Sequence, residues 1–172
     1  MGTRRRIRVV TTEFAEAAER HLDDVHAYLV YLTGDRGTAE ELTGETFARA
    51  CERWHRFDAR RGSARTWLCQ LARSTALDHF RAEERRRRRE GRYAVSVPES
   101  EAGFGEGLSP ALEAALARLS AAEREVVALR IVLELDGEAA ARVLGISATA
   151  CSTRLSRALQ KLEKEVSAGA AA

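Results

Sequence analysis

The chain of 172 residues is short of the parts from which most site chemistries are assembled. Its three cysteines, Cys51, Cys69 and Cys151, are widely spaced and odd in number. They give neither a disulfide framework nor a Cys-x-x-Cys zinc pair, and each reads as a small buried apolar residue. There is no Gly-rich phosphate loop, no GxSxG and no HExxH. Nothing pairs a nucleophile with a base, so no enzyme and no cofactor is expected. His21 and His26 flank Asp23 and Asp24, but a spacing of five does not put both imidazoles on one helix face, and no metal site is expected. No apolar run approaches the ~20 residues of a membrane span. The basic start, "MGTRRRIRVV", has no apolar stretch after it, so no signal peptide is expected and the cytoplasm is the expected location. No segment alternates with period two for long, which argues against a sheet.

What is present is charge, unevenly placed. Residues 1–92 carry 20 Lys+Arg against 15 Asp+Glu, a net of +5; residues 93–138 carry 3 against 9, a net of −6; residues 139–172 carry 5 against 2, a net of +3. Two basic blocks around an acidic one suggest two separate anion-facing surfaces.

The apolar pattern is helical. Phe14, Ala18, Leu22, Val25, Leu29 and Leu32 step by four or three along one face, and Gly34 ends that helix. A second helix is expected from about Thr38 to Trp54, with Leu42, Phe47, Ala50, Cys51 and Trp54 inward. Ser63 then caps a third helix that carries Trp67, Leu68, Leu71, Thr75 and Phe80 and runs into the arginines of "DHFRAEERRRRREGR". The stretch "YAVSVPESEAGFGEGLSP" holds both prolines of the chain, three glycines and three glutamates, and reads as a flexible linker. Beyond it, Ser109 and Pro110 open one helix, and Ser120 with Glu123 forms a capping box for another. The fold class expected is all-α: two small helical domains joined by a flexible linker, the second with a helix-turn-helix. The expected divisions are an extension over 1–11, a first domain over 12–92, an acidic linker over 93–108, a second domain over 109–166 and an Ala-rich tail over 167–172.

The segment "DGEAAARVLGISATACSTRLSRALQKL" has helix-turn-helix grammar. Asp136 caps a short helix, Gly145 supplies the turn, Ile146 plugs the space between helices and Ser147 caps the second helix. There Cys151, Leu155, Leu159 and Leu162 form the expected buried stripe. The opposite face carries Thr149, Ser152, Thr153, Arg154, Ser156, Arg157 and Lys161. Hydroxyls near a helix start, with arginines behind, suit entry into a major groove, where Arg and hydroxyls meet base edges and Arg and Lys hold phosphates. A helical hairpin with a solvated polar face is the plain alternative. The arginine run from Arg85 to Arg89 is the weaker signal, since the macrodipole itself favours cations at a helix end.

Two segments together carry a resemblance. "AEELTGETFARACERWHRFDARRGSARTWLCQLARSTALDHFR" resembles the promoter −10-reading domain of bacterial RNA polymerase sigma factors of the extracytoplasmic-function group. "LSAAEREVVALRIVLELDGEAAARVLGISATACSTRLSRALQKL" resembles their −35-reading domain, in the same order. The resemblance implies a factor that binds core RNA polymerase, through the clamp of its largest subunit and its flap, and reads promoter DNA. It implies polymerase contacts at Glu40, Glu41, Leu42, Thr43, Gly44 and Glu45. Gly44 departs from the glutamine usual in the family. It implies −10 contacts at Arg60, Arg61, Arg65, Arg73, Ser74, Asp78, His79, Arg81, Arg85 and Arg86. Ser74 stands where the family usually has Asn. The −35 contacts implied are those of the second helix face above. An acidic linker that mimics RNA in the exit path also follows from the resemblance, with a solvated spacer as the alternative.

Two rival readings remain at this point: a stand-alone helix-turn-helix regulator, and a helical adaptor with no DNA dependence. An anti-sigma protein is a partner that the resemblance admits. The final "SAGAAA" is expected to fray beyond Val166. Its end resembles the tag on stalled-ribosome products, which implies an Ala171–Ala172 degron for a ClpXP-type protease; the plain alternative is a low-complexity terminus.

Overall fold

The computed structural model describes residues 2–90, 103–105 and 107–170, all of them in helices, turns and loops with no strand among them. The helices are α1 (Gly2–Thr33), α2 (Arg36–Arg53), α3 (Ala64–Arg89), α4 (Pro110–Arg118), α5 (Ala121–Val127), α6 (Gly137–Leu144) and α7 (Ala148–Ala170). A short 3₁₀ turn, Trp54–Arg56, follows α2, and α5 runs on as a π turn, Ala128–Val132. Most of the expected linker and the Ala171–Ala172 pair lie outside the described residues.

The helix starts follow from local chemistry. Asp35 accepts from Thr38 N at 2.6 Å, Ser63 from Thr66 N at 3.1 Å, Ser109 from Leu112 N at 3.3 Å, and Asp136 from Ala139 N at 2.8 Å. Ser120 and Glu123 close a reciprocal capping box, with Ser120 N donating to Glu123 Oε2 at 2.9 Å and Glu123 N to Ser120 Oγ at 3.2 Å. Each cap contributes about 1 kcal/mol. Gly145 takes the left-handed conformation, φ 67°, that ends α6 and turns the chain into α7.

Helices α1, α2 and α3 pack on one another as a first bundle, and α7 packs against α4, α5 and α6 as the centre of a second. The bundles are not held apart. Helix α3 packs on α6, and α1 packs on α5 and the π turn. One apolar cluster therefore runs from Val25 and Leu29 through Leu68 and Ala72 to Leu129, Cys151 and Leu162.

Several sequence expectations are corrected. Helix α1 starts at Gly2, well before Phe14, and α7 continues to Ala170 rather than ending at Val166. Leu22 is 47% exposed, because the packed face of α1 there follows Ala17, Val25 and Tyr28. Cys51 is exposed while Cys69 and Cys151 are buried. In α7 the buried positions are Cys151, Ala158 and Leu162; Leu159 is 41% exposed, because a stripe can step by three or by four and here takes the small Ala158 against the bundle. Trp67 and Leu155 are only partly buried. Phe104, assigned to a free linker, is 4% exposed and packs its ring 5.6 Å from that of Tyr31.

Candidate nucleic-acid interface

The helix-turn-helix face is built as its sequence implies. Ser147 Oγ accepts from Ala150 N at 3.1 Å and so starts α7, while Ile146 packs partly against the core. Thr149, Ser152, Thr153, Ser156, Arg157 and Lys161 are exposed and Arg154 is half-exposed. A shallow concavity of about 580 Å³ lies between the start of α5 and the start of α7, lined by Ser120, Glu123, Thr149, Thr153, Arg154 and Arg157 among others. Two of the polar groups are already engaged. Thr153 Oγ1 donates to Thr149 O at 3.0 Å, and Lys161 Nζ reaches Glu123 Oε1 at 2.5 Å. The Lys161 hydrogen bond holds the Glu123 carboxyl below the usual carboxylate range. Arg154 and Arg157 have no such partner among the ion pairs of the described residues, which leaves both guanidinium groups available to an anion.

The second basic surface lies on the first bundle. A concavity of about 290 Å³ opens between the loop before α3 and α3 itself, lined by Arg56, Phe57, Asp58, Arg61, Gly62, Ser63, Thr66, Trp67, Gln70 and Arg142. Its aromatic wall is part of a cluster: the Trp54 and Phe57 rings stack at 4.8 Å, and Trp67 stands 5.7 Å from each. Stacking surface beside cations is what capture of an unpaired base needs. Arg60 folds onto Asp58 at 3.1 Å and its hydrogen bonds hold that carboxyl below its ordinary range. Arg61 is exposed.

The remaining sequence-assigned −10 positions divide. Ser74, Arg81, Arg85 and Arg86 are exposed, with Arg86 paired to Glu83 at 2.9 Å. Asp78 is engaged by Arg49 at 3.2 Å and Arg81 at 3.5 Å, and His79 is partly buried beside Phe80. Arg65 and Arg73 turn towards acids of the protein: Arg65 pairs with Asp24 at 2.7 Å and Arg73 with Glu125 at 2.7 Å. Among the positions assigned to polymerase, Glu40, Glu41, Gly44 and Glu45 form an outward acidic strip of α2, Glu45 being paired to Arg49 at 2.6 Å. Leu42 and Thr43 are buried in the bundle, and Thr43 Oγ1 donates to Ala39 O at 2.7 Å, so both support the strip rather than project from it.

Sequence reasoning missed the groups between the bundles. Glu125, on α5, is 4% exposed and is the one charged residue among the buried polar positions described. Tyr28 Oη donates to Glu125 Oε1 at 2.6 Å, and Arg73 Nε donates to the same oxygen at 2.7 Å. Burial, and then the neighbouring carboxylate, push the Tyr28 phenol well above its ordinary range. One signal was legible: Glu125 and Leu129 share a helix face by their spacing of four, and a carboxylate on an apolar face asks for a partner. Which partner it finds, 97 and 52 residues away, is not a local property. Arg142 and Gln70 were missed for the same reason: Gln70 Nε2 donates to Arg142 O at 3.3 Å across the bundles.

Comparison with known proteins matches residues 17–86 to sigma-70 region 2 and residues 109–162 to sigma-70 region 4. The extracytoplasmic-function (ECF) RNA polymerase sigma factor BldN of Streptomyces coelicolor is 30% identical over 156 residues, which span 88% of this chain and 59% of that protein. The ECF RNA polymerase sigma factor SigC of Mycobacterium tuberculosis is 34% identical over 143 residues, spanning 81% of this chain and 75% of that one. Among solved structures, the sigma factor RpoE of Bartonella quintana, in complex with the anti-sigma factor NepR, superposes with a TM-score of 0.77 at 24% identity, covering 90% of this chain and 97% of RpoE. CnrH, in complex with the cytosolic domain of CnrY, gives 0.66 at 21% identity, covering 92% of this chain and 90% of CnrH. These two likenesses are of fold.

Proposed function

Because the chain belongs to the ECF RNA polymerase sigma factors, we propose that it binds core RNA polymerase, reads two promoter elements and helps open the DNA between them. Helix α7 reads the −35 element, with Arg154 and Arg157 on base edges or phosphates. The loop before α3 and its aromatic pocket take an unpaired base of the −10 element, and Arg81, Arg85 and Arg86 hold phosphates beside it. The acidic strip Glu40, Glu41, Glu45 docks on the polymerase clamp. The protein contributes recognition and no bond-making step.

The observation that supports this reading is the pairing, on one chain, of two different surfaces whose chemistry suits nucleic acid. One is a capped helix-turn-helix with free arginines at the start of its second helix. The other is a concavity that combines aromatic faces with Arg56 and Arg61. A stand-alone regulator needs only the first. The test is run-off transcription with purified core polymerase and a promoter recovered from cells with the tagged protein. Transcript that depends on the full chain supports the reading. DNA binding by the free protein with no core-dependent transcript supports the regulator instead.

A further inference from the structure

The two surfaces just described cannot be used together in the arrangement seen here. Elements at −35 and −10 lie about 25 base pairs apart, about 85 Å along a duplex. In this structure α6 of the helix-turn-helix packs directly on α3, and Gln70 bonds Arg142 at 3.3 Å. The second bundle also covers part of the −10 surface: Val143 of α6 shares a small concavity with Gln70, Arg73, Ser74, Leu77 and Arg81.

The contact is built around a charge. Glu125 is 4% exposed, and both of its side-chain partners, Tyr28 and Arg73, belong to the other bundle. A buried carboxylate is tolerated only when paired, so this position is satisfied in two ways: closed and paired, or open and hydrated. Neighbouring groups close the same seam. Arg124 Nε donates to Tyr31 O at 3.1 Å, and its guanidinium lies 5.9 Å from the centre of the Phe104 ring. Phe104 in turn packs on Tyr31, and Arg36 Nε donates to Gly103 O at 3.0 Å, so the end of the linker is pinned to the first bundle.

We infer that the protein carries its own inhibitory latch: Glu125 of α5, held by Tyr28 and Arg73 and flanked by the Phe104 pin, keeps the two bundles closed and keeps Arg73 from DNA. This rests on the promoter-reading function proposed above. Core polymerase opens the latch by binding the bundles in a separated arrangement better than in the closed one, the only way a partner shifts such an equilibrium. The chain permits this: residues 93–108, fully extended, reach about 50–60 Å, to which the bundles add their own widths.

The latch is testable without polymerase or DNA. The exposed Cys51 and a Gln160→Cys change on exposed α7 take a pair of fluorescent or spin labels. Cys69 and Cys151 are buried, and burial pushes the Cys69 thiol up to about 12, so labelling stays at the surface sites. The full chain is expected to give one short inter-label distance. Glu125→Lys sets a cation against Arg73 and is expected to raise the open-to-closed ratio by about a hundredfold or more. Tyr28→Phe, the milder change, is expected to raise it by about tenfold. Helicity by circular dichroism checks that both variants remain folded. The same variants are expected to give more run-off transcript than wild type at limiting core polymerase. Distances unchanged in both folded variants overturn the latch. Distances that lengthen with no gain in transcript, on a promoter that the wild type transcribes, overturn its inhibitory role. A wild type that gives no transcript, with distances that respond, counts against the promoter-reading function and leaves the closed pairing standing.

Discussion

At the scale of single residues, Gly44 separates stability from recognition. It lies inside α2, it is exposed, and a Cβ added there meets nothing within 4 Å. Gly44→Ala is therefore expected to stabilise the chain by about 0.5–1 kcal/mol, through the lower helix cost of Ala, as read by urea denaturation. A loss of stability would mean that α2 is constrained at this point in a way its open surroundings do not show. The departure at Gly44 was legible in the sequence, and so were the caps, because a cap is settled by residues three apart. Asp35 was the exception: the second helix was expected from Thr38, and Asp35 starts it two residues earlier by accepting from Thr38 N. Burial of single residues was less legible. Cys51 was read as buried, from its type and from its place on the expected inward face of the second helix, and faces solvent, whereas Glu125 was not singled out and is buried.

At the scale of elements, α7 shows what periodicity can and cannot fix. Its existence, its start at Ser147 and its polar face were all readable. Its phase was not fully so, because Ala158 and Leu159 are adjacent and either continues a stripe from Leu155. The structure buries Ala158 completely and leaves Leu159 41% exposed. Leu159→Ala is accordingly expected to change stability by within ~0.5 kcal/mol. Leu129→Ala, at a fully buried position of the π turn, is expected to cost about 2–5 kcal/mol. Thermal or urea unfolding of the two variants side by side checks the phase, and equal costs would place it wrongly. The outward face makes a separate prediction. Arg154→Ala and Arg157→Ala are each expected to weaken promoter-dependent transcription. An Arg on a base edge loses about 1–3 kcal/mol and relaxes one position, while one on a phosphate flattens the salt dependence by about one unit. Normal transcription by both variants at moderate salt would remove α7 from the interface.

At the scale of the whole molecule, order and type of elements came from the sequence, and the relation between the two halves did not. The linker composition implied freedom, yet Phe104 is buried and one apolar cluster crosses both bundles. No periodicity encodes a contact such as Tyr28 with Glu125, which depends on how two finished surfaces meet. In the function proposed above, this chain directs polymerase to two DNA elements at once, with the closed pairing as its resting form. The most direct measurement is transcription in vitro from a randomised promoter library by purified core polymerase with and without the full chain, followed by sequencing of the templates that were used. Enrichment is expected, dependent on the chain, of two short motifs at a fixed separation, with the upstream motif altered by Arg157→Ala. A single enriched motif, or transcription no different from core polymerase alone, would contradict it.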